Sequence, residues 1–494
     1  MKRLILCSVL ILSCISVTSA AEPLKLSLAE AIRMAAERNL DVRAELYTPA
    51  QFEAEINRNK AIYDPSLNLQ VKYSDTTAPI PRAIVNGQSS GSNFQLNSSL
   101  SQLFWTGATT SLEFNNTYNN SNSFSTLRDY WQSSLGVTLS QPLLKNFGRE
   151  NTEININVSR LSKFASLEHF NTRLINTIAQ VRVEYFKLYS LREQLEVRKV
   201  SLELAGKILT ETKARVAAGV LPAMEILNAE FGLTSREKDL IDTERAVNDE
   251  VDALRLLLQI EGKDDVVTIN LPRRELFSVN EEEAVKRALM RFDIKELKRN
   301  LDISELQTRV FGNNIKPDLS LIVSGALVGL DQSYPRNLEK LSSFDYPAWN
   351  IGLNFSYPFG NNAAENDYRK SRLKSAQIAL QVRSLEEGAI NSVKSATRAI
   401  NSGFKQIDVT DRGRTYAEER LKAFIRKNEV GLATTKDVLD VENDLATAKN
   451  NQIIALVNYD NAVTQFWQVT GELLEREGIH VVEGDADKLY TNTR

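Results

Sequence analysis

Residues 135–142 read LGVTLSQP, an alternating stretch that ends in proline, and residues 351–358 read IGLNFSYP, a second stretch of the same pattern. In an extended strand Leu135, Val137 and Leu139 lie on one face, and small or polar residues lie on the other. Such an apolar face packs against a second sheet in a soluble sandwich, or against lipid in a membrane barrel whose other face is wet. The strand pattern alone leaves both architectures open.

The sequence contains one structural unit written twice. Each copy has a helix start, a proline followed by alternation, a returning strand that ends in proline, a long proline-free helical stretch and a shorter helix. The helix starts fit capping boxes, formed by Ser27 with Glu30 and by Ser278 with Glu281. The first helices are expected at 27–62 and 279–314, with an irregular point at Pro49 because an interior proline removes a hydrogen bond.

These patterns predict a signal peptide at 1–20, a first repeat at 21–275, a second repeat at 276–477 and a polar C-terminal tail at 478–494. After its helix, the first repeat is predicted to have strands near 66–76, 93–104, 108–119 and 130–142, a long helix at 150–218 and a short helix at 223–261. The second is predicted to have strands near 317–330 and 348–358, a long helix at 360–430 and a short helix at 435–471.

The first twenty residues have the pattern of an export signal. Two basic residues precede the apolar run 4–17, and residues 18–20 are small enough for cleavage. A retained anchor is the alternative, although the run is short for a membrane span. Cys7 and Cys14 both lie in this segment. The context of Cys14 also resembles a lipoprotein processing site, so lipidation at Cys14 stays an alternative; otherwise the mature chain has no cysteine.

Composition argues against several classes of function. The 60 Lys+Arg residues nearly balance the 63 Asp+Glu residues, and no basic segment supports nucleic-acid binding. Only His169 and His480 are available as histidines, and there is no glycine-rich phosphate loop or nucleophile elbow. We therefore expect no enzyme, no cofactor, no metal site and no nucleic-acid partner.

The helical stretches distinguish between the two architectures. Between residues 167 and 195 the apolar positions recur at a mean spacing of 3.5, the coiled-coil period. At about 1.5 Å per residue, a helix over 150–218 would extend roughly 100 Å, which suits a tube or a rod. No later run of apolar residues is long enough for a transmembrane helix. A few membrane strands cannot close a barrel, so other copies of the chain must complete it.

Prolines and glycines are expected at the junctions between elements. Proline cannot donate to a sheet ladder and suits a change of direction between helix and strand. Four prolines take such positions: Pro65, Pro142, Pro317 and Pro358. Gly219 and Gly431 are expected to adopt the left-handed conformation where a long helix turns into a short one. Pro222 then suits the first turn of the next helix.

This arrangement resembles the TolC family of outer-membrane efflux channels. The resemblance rests on VGL at 430–432 with DVLD at 437–440, QPLL at 141–144 with FG at 147–148, and NAV at 461–463 through VTG at 469–471. It implies an α+β membrane protein with a duplicated helix–strand–strand–helix unit, in which a trimeric outer-membrane β-barrel is continued by a long periplasmic α-helical barrel.

The resemblance also implies function and partners. A homotrimer in outer-membrane lipid would extend into the periplasm and meet a periplasmic adaptor, or membrane fusion protein, and an inner-membrane pump of the RND, ABC or MFS type. It would passively conduct substrates of a tripartite efflux or type I secretion system to the exterior. The heptads alone would also allow a non-conducting periplasm-spanning coiled-coil scaffold or adhesin.

The family's aperture residues correspond here to Asp437 and Asp440, with Glu225 and Asn228 at the matching positions of the first repeat. Carboxylates around a narrow opening favour cations, although both aspartates also suit the first turns of a helix. The tips that contact the adaptor correspond to Gly219, Val220 and Leu221 in the first repeat and to Val430, Gly431 and Leu432 in the second.

One departure from the family lies at 93–119. A family protomer typically supplies four strands, whereas this sequence has six candidates. The two extra strands would enlarge the barrel or form an external hairpin, and the sequence leaves both possibilities open.

Overall fold

The computed structural model describes residues 24–79, 88–121, 127–262 and 265–481. The predicted signal peptide at 1–20, Cys14 and most of the predicted tail at 478–494 lie outside the described residues. The described chain combines long helices with one large sheet. The mixed helix-and-sheet class is therefore confirmed.

The helices are α1 Leu28–Arg38, α2 Leu40–Glu45, α3 Tyr47–Lys60, α4 Arg149–Thr152, α5 Ile154–Ala217, α6 Met224–Leu258, α7 Glu281–Ala288, α8 Phe292–Asn314, α9 Tyr334–Ser342, α10 Asn362–Glu429, α11 Thr435–Thr470 and α12 Leu473–Arg476. The strands are β1 Leu24–Leu26, β2 Ser66–Pro79, β3 Gln88–Leu103, β4 Thr109–Ser121, β5 Asp129–Pro142, β6 Val266–Thr268, β7 Asp318–Asp331 and β8 Pro347–Ser356.

The chain forms two compact units. We call the first the helical unit, made of the described residues of 24–43, Leu174–Ala288 and Asn391–His480. We call the second the sheet unit, made of the described residues of Ala44–Arg173 and Leu289–Ile390. The boundaries of the two repeats, 21–275 and 276–477, follow a different division and stay a prediction.

The sheet unit contains one antiparallel sheet of six strands in the order β2-β3-β4-β5-β7-β8. The strands predicted near 93–119 correspond to β3 and β4 and lie inside this sheet. Its register places apolar residues of neighbouring strands opposite each other, as in the pairs Leu100 with Leu112 and Leu139 with Val323. Because side chains alternate between faces, matched residues of one parity form a mainly apolar face across all six strands, with Ser98, Asn116 and Ser133 among them.

Two fully buried tyrosines organise the helical unit. The Tyr185 hydroxyl of α5 donates to the Leu26 carbonyl oxygen at 2.9 Å and accepts from the Ile269 amide at 3.0 Å. The Tyr459 hydroxyl of α11 donates to the Glu275 carbonyl oxygen at 2.7 Å and so fixes the other end of the same connecting segment. Each repeat therefore contributes one buried phenol that satisfies loop backbone groups.

A buried charge network joins α5 to α11 in the same unit. The Arg182 guanidinium donates to Asp460 at 3.1 Å, to Glu477 at 2.5 Å and to the Thr464 hydroxyl at 2.8 Å. Arg182 and Asp460 are almost fully buried. Removing one member would leave the other charge buried without its partner, at a cost of about 3–5 kcal/mol.

The prediction of one continuous helix at the start of each repeat is wrong. The helix predicted at 27–62 is divided at Asn39, whose side-chain oxygen accepts from the Asp41 and Val42 amides, each at 3.1 Å. Its side-chain amide also donates to the Leu257 carbonyl oxygen at 3.0 Å. The helix predicted at 279–314 is interrupted at the corresponding place, between α7 and α8. Asn39 starts α2 as a capping residue, a role its amide performs well.

Local capping predictions had mixed outcomes. The capping box of Ser27 with Glu30 is confirmed. The box predicted for Ser278 with Glu281 is wrong, because α7 begins at Glu281 and the Asn280 side chain accepts from the Glu283 amide instead. The irregular point expected at Pro49 falls just before it, at Leu46 between α2 and α3.

The ends of the shorter helices differ between the repeats. The helix α11, predicted to end at 471, ends at Thr470, and Gly471 follows it in the left-handed conformation. The helix α6, predicted to end at 261, ends earlier at Leu258, and Gln259 follows it in the left-handed conformation, with φ 53°. Gln259 thereby adopts a conformation that glycine normally supplies.

Candidate functional site

The two turns that join long helices to short ones have the same backbone path. Gly219 and Gly431 have φ values of 72° and 76°, which confirms the left-handed conformation predicted for both. The Val220 amide donates to the Arg215 carbonyl oxygen at 2.9 Å, and the Leu432 amide to the Lys427 carbonyl oxygen at 2.8 Å. These bonds form Schellman motifs, which satisfy the last carbonyls of a helix. We call residues 218–223 the first tip and residues 430–434 the second tip.

The second tip starts its helix with a complete capping box. The Thr434 hydroxyl accepts from the Asp437 amide at 3.1 Å, and the Thr434 amide donates to the Asp437 carboxylate at 2.8 Å. These hydrogen bonds hold the pKa of the Asp437 carboxyl below its ordinary value, because they favour the charged form. Asp437 therefore stabilises the start of α11, as its position in the first turn predicts.

The first tip has no such cap. Ala223 precedes α6 without a side-chain hydrogen bond, and the Glu225 amide donates to the Pro222 carbonyl oxygen at 3.0 Å. Pro222 lies two residues before α6, so its predicted place in the first helical turn is wrong. Within the described residues, one carboxylate oxygen of Glu225 is buried without a hydrogen-bond partner.

The predicted aperture residues lie in the first turns of α6 and α11, in one compact unit. Asp440 is exposed, one turn beyond Asp437, and Asn228 of the first repeat is half-buried. The Asp437 carboxylate accepts from the Thr434 amide and hydroxyl, whereas Asp440 takes no part in the capping box. Asp437 is half-buried, so Asp440 is the more exposed of the two aspartates.

The tips expose apolar side chains. Val220 and Val430 are each 70% exposed, and Leu432 is 77% exposed. Leu221 is half-buried, and both glycines are exposed. A cluster of exposed aliphatic residues on two adjacent turns is typical of a surface that contacts another protein.

A brace between the two tips was not predicted from the sequence. The Arg215 guanidinium donates to the Asn428 carbonyl oxygen at 2.9 Å, and the Asn428 side chain donates to the Ala433 carbonyl oxygen at 2.9 Å. Arg215 therefore satisfies a carbonyl at the end of α10, where the helix dipole favours a positive charge. Its position in the last turn of α5 is the only signal that the sequence offers.

A second link joins the shorter helices α6 and α11 farther from the tips. The Arg236 guanidinium of α6 donates to the Glu442 carboxylate at 2.9 Å and to the Leu439 carbonyl oxygen at 2.8 Å. Gly232 lets the helices approach, because a methyl group there would lie 2.6 Å from a Leu439 methyl carbon. An apolar cluster of Leu421, Val438, Val441, Leu204, Ile208, Phe424, Ile425 and Leu445 packs nearby.

The four junction prolines flank the strands of the sheet unit. Pro65 and Pro317 immediately precede β2 and β7, Pro142 is the last residue of β5, and Pro358 follows β8 by two residues. Beyond Pro142, the Leu143 amide still donates to the Leu319 carbonyl oxygen at 2.7 Å. The ladder thus continues past a residue that cannot donate to it.

Other kinds of site find little support in the described ranges. No group of three or more His, Cys, Asp or Glu residues there could hold a metal ion. Among the helices in those ranges, none has the length and apolar character needed to cross a membrane.

Sequence relatives include the outer membrane efflux protein BepC of Brucella suis, 24% identical over 340 residues, which covers 67% of this chain and 69% of BepC. The outer membrane protein TolC of Salmonella enteritidis is 24% identical over 297 residues, or 57% of each chain. The matches to these curated relatives thus span between about half and about two thirds of their length.

Solved channels share the fold. The outer membrane channel CmeC of Campylobacter jejuni superposes with a TM-score of 0.66 at 16% identity, over 94% of this chain and 88% of CmeC. The MtrE channel of Neisseria gonorrhoeae, in its open state, superposes with a TM-score of 0.64 at 16% identity, over 90% of this chain and 89% of MtrE. The family model "Outer membrane efflux protein" matches residues 107–258 and 287–472. Because that match covers well over half of the sequence, this chain belongs to the outer membrane efflux protein family.

Proposed function

We propose that this chain is the outer-membrane channel of a tripartite efflux or type I secretion system. Efflux and the outer membrane are properties of the family to which it belongs. The observation that carries the proposal is the six-stranded sheet with one mainly apolar face. Such a face suits lipid, and the opposite face, which is rich in serine, threonine, asparagine and glutamine outside β7, suits a water-filled lumen.

The sheet needs further copies of the chain to close. Among the described strands, β2 pairs only with β3, and β8 only with β7. Both edge strands expose large apolar residues, including Leu67 and Val71 on β2 and Trp349 and Phe355 on β8. An open edge in lipid leaves backbone groups without partners, which costs several kcal/mol for each group. We infer that β8 of one copy pairs with β2 of the next.

The family's channels are trimers, and three sheets of six strands make a barrel of eighteen. Barrel diameter grows roughly linearly with strand number. A barrel of eighteen would therefore be about one and a half times as wide as one built from four strands per copy. The hairpin of β3 and β4 enlarges the barrel in this proposal, and the alternative of an external hairpin is not favoured.

The first and second tips are the proposed contact with a periplasmic adaptor, which connects the channel to an inner-membrane pump of the RND, ABC or MFS type. Exposed Val220, Val430 and Leu432 supply the apolar part of this surface. The brace from Arg215 to Asn428 keeps the tips in a fixed arrangement, which lowers the entropy cost of docking.

Asp440 is the proposed carboxylate of the periplasmic aperture, with Asp437 beside it. Three copies would gather six carboxylates of these two residues around one opening and favour cations. Glu225 and Asn228 would line the same region from the first repeat, with one charge fewer per copy.

The test is single-channel recording in lipid bilayers. We expect the purified protein to conduct ions, and a non-conducting scaffold or adhesin would insert without passing current.

We expect Asp440→Asn, and more strongly Asp437→Ala with Asp440→Ala, to lessen block by a multivalent cation such as hexamminecobalt. Thr434→Ala serves as the matched control, since it removes the cap without changing the charge. Unchanged block in the double variant would remove the aperture assignment and leave the channel assignment intact.

A further inference from the structure

Helix α9 covers part of the apolar face of the sheet, at the strand ends farthest from the junction prolines. The Tyr334 ring of α9 lies 4.7 Å from the Trp131 ring, centroid to centroid. The Asn337 side chain donates to the Ser133 hydroxyl at 2.5 Å. Trp131 and Ser133 share their parity with Leu135 on β5, so they lie on its apolar face. The helix therefore packs on the side that the proposed function assigns to lipid.

An aromatic row crosses the sheet at the same level. The register aligns four aromatic residues on four successive strands, namely Tyr73, Phe94, Tyr118 and Trp131. On the next strand the residue opposite Trp131 is Asp331, which interrupts the row. Tyr334 packs against Trp131 at this interruption, with the two ring planes tilted by 56°, and continues the row. Rows of aromatic residues mark the boundary between hydrocarbon and water in membrane barrels.

The helix also covers polar groups on the apolar face. Asn116, Ser133 and Asn337 are almost completely buried, and the Ser133 hydroxyl donates to the Asn116 side-chain oxygen at 2.6 Å. Polar side chains without cover would lie at the edge of the hydrocarbon at this position, where a polar group without a hydrogen-bond partner is unfavourable. Gly329 makes the close packing possible, because a methyl group there would overlap the Asn337 carbonyl oxygen.

The outer side of this element has the composition of a membrane-interface segment. Arg336 and Glu339 are exposed on α9, and exposed Asp345 lies between Phe344 and Tyr346, which follow the helix with 69% and 61% of their surface exposed. Exposed aromatic rings and charged side chains in one short segment suit the headgroup region, where rings meet acyl chains and a cation meets phosphate.

We propose that α9 and residues 343–346 form a collar on the outside of the barrel, at the headgroup level of the outer leaflet, where they contact anionic phosphate-bearing lipids. This rests on the proposed function. From Leu319 to Leu327 the apolar positions of β7 extend about 27 Å, or roughly 20 Å along the membrane normal at a tilt of about 40°. That height is close to the apolar band of about 25 Å in membrane barrels, so α9 begins where the band ends.

The experiment measures depth in the membrane with a fluorophore on one introduced cysteine. Ser342→Cys, labelled in the full protein and reconstituted into phosphatidylglycerol-containing liposomes, is probed with lipids spin-labelled at the headgroup or at mid-chain. We expect quenching by the headgroup label to exceed quenching by the mid-chain label at least twofold. Quenching by aqueous iodide alone, with none by either lipid, would overturn the proposal.

Two control positions separate this proposal from the proposed function. Leu135→Cys, on the apolar face, should be quenched by the mid-chain label, and Ser134→Cys, on the opposite face, by iodide. If Leu135→Cys is not quenched by lipid, the barrel assignment itself fails. If the controls behave as expected and Ser342→Cys does not, only the collar fails.

A second measurement tests the anionic partner. We expect short-chain phosphatidylglycerol to raise the unfolding temperature of the detergent-solubilised protein, and Arg336→Gln to remove at least half of that increase. Arg369→Gln, an exposed arginine on α10, is the matched control and should retain it. An equal increase in both variants would contradict recognition of phosphate by α9.

Discussion

The two tips share one backbone turn and differ in how the next helix begins. In the second tip Thr434 has extended backbone angles, φ −81° and ψ 162°, and closes a capping box with Asp437. In the first tip Ala223 is already helical, with φ −57° and ψ −26°, and has no side-chain cap. The two tips therefore share the glycine turn, which backbone sterics determine, and differ in the helix cap, which side chains determine. Both aspartates proposed for the aperture, Asp437 and Asp440, lie in the capped copy, and the first copy has Glu225 and Asn228 instead.

Breaking the link between α6 and α11 should have the largest effect on stability. Arg236→Ala leaves the Glu442 carboxylate buried without its partner between α6 and α11, and we expect a loss of about 3 kcal/mol in the free energy of unfolding. Chemical denaturation of the detergent-solubilised protein measures this loss. Lys238→Ala, in an exposed pair with Asp242, should have a much smaller effect, because a solvent-exposed ion pair contributes little to stability. Equal losses in both variants would mean that this link does not hold α6 against α11.

The shared turn predicts equal effects at its two glycines. Gly219→Ala and Gly431→Ala should each destabilise the protein by about 1–2 kcal/mol, because an L-residue is strained in the left-handed region. An added methyl group meets no atom within 4 Å at either site, so the strain lies in the backbone alone. Thermal unfolding is the measurement. Gly413 lies inside α10, and an added methyl group there also meets no atom within 4 Å. Gly413→Ala should therefore stabilise the protein by up to about 1 kcal/mol. A change in stability of the same sign at all three glycines would contradict the backbone explanation.

Removal of the cap should affect only the second tip. Thr434→Ala is expected to cost about 1 kcal/mol, since it removes the hydrogen bond to the Asp437 amide. The reciprocal change, Ala223→Ser, should alter stability by less than about 0.5 kcal/mol, because a helical residue cannot present its side chain as a cap. Hydrogen exchange at the starts of α6 and α11 measures both changes. A clear gain from Ala223→Ser would show that the first tip rearranges readily.

The smallest expected effect is a pH dependence confined to the second tip. The pKa of Asp437 is lowered from its ordinary value of 3.8, chiefly by the backbone hydrogen bond from Thr434. A lowered pKa adds stability that is present above the unfolded value and is lost as pH falls through the folded value. Protection of the first α11 amides, corrected for intrinsic exchange, should therefore decrease below about pH 4. Asp437→Ala should abolish this dependence, and its persistence would point to another titrating group.

Features that depend on neighbouring residues were predicted well from the sequence. Strand alternation at 135–142 and the turns at Gly219 and Gly431 follow from side-chain period and backbone sterics, which act over a few residues. Capping was less predictable, because Ser278 and Asn280 compete for one helix start and a hydrogen-bond pattern in three dimensions decides between them. The break at Asn39 depends on the distant Leu257 carbonyl, which no local pattern reveals.

By itself, the sequence determined which residues form the strands of the six-stranded sheet, which face of those strands is mainly apolar and where the long helices turn, because these are local consequences of side-chain alternation and allowed backbone angles. The tertiary structure decided that β3 and β4 join the sheet, that α9 covers its apolar face and that Arg215 braces Asn428. Each of these depends on contacts between residues far apart in the chain. Packing geometry selects such contacts, and sequence periodicity carries no record of them.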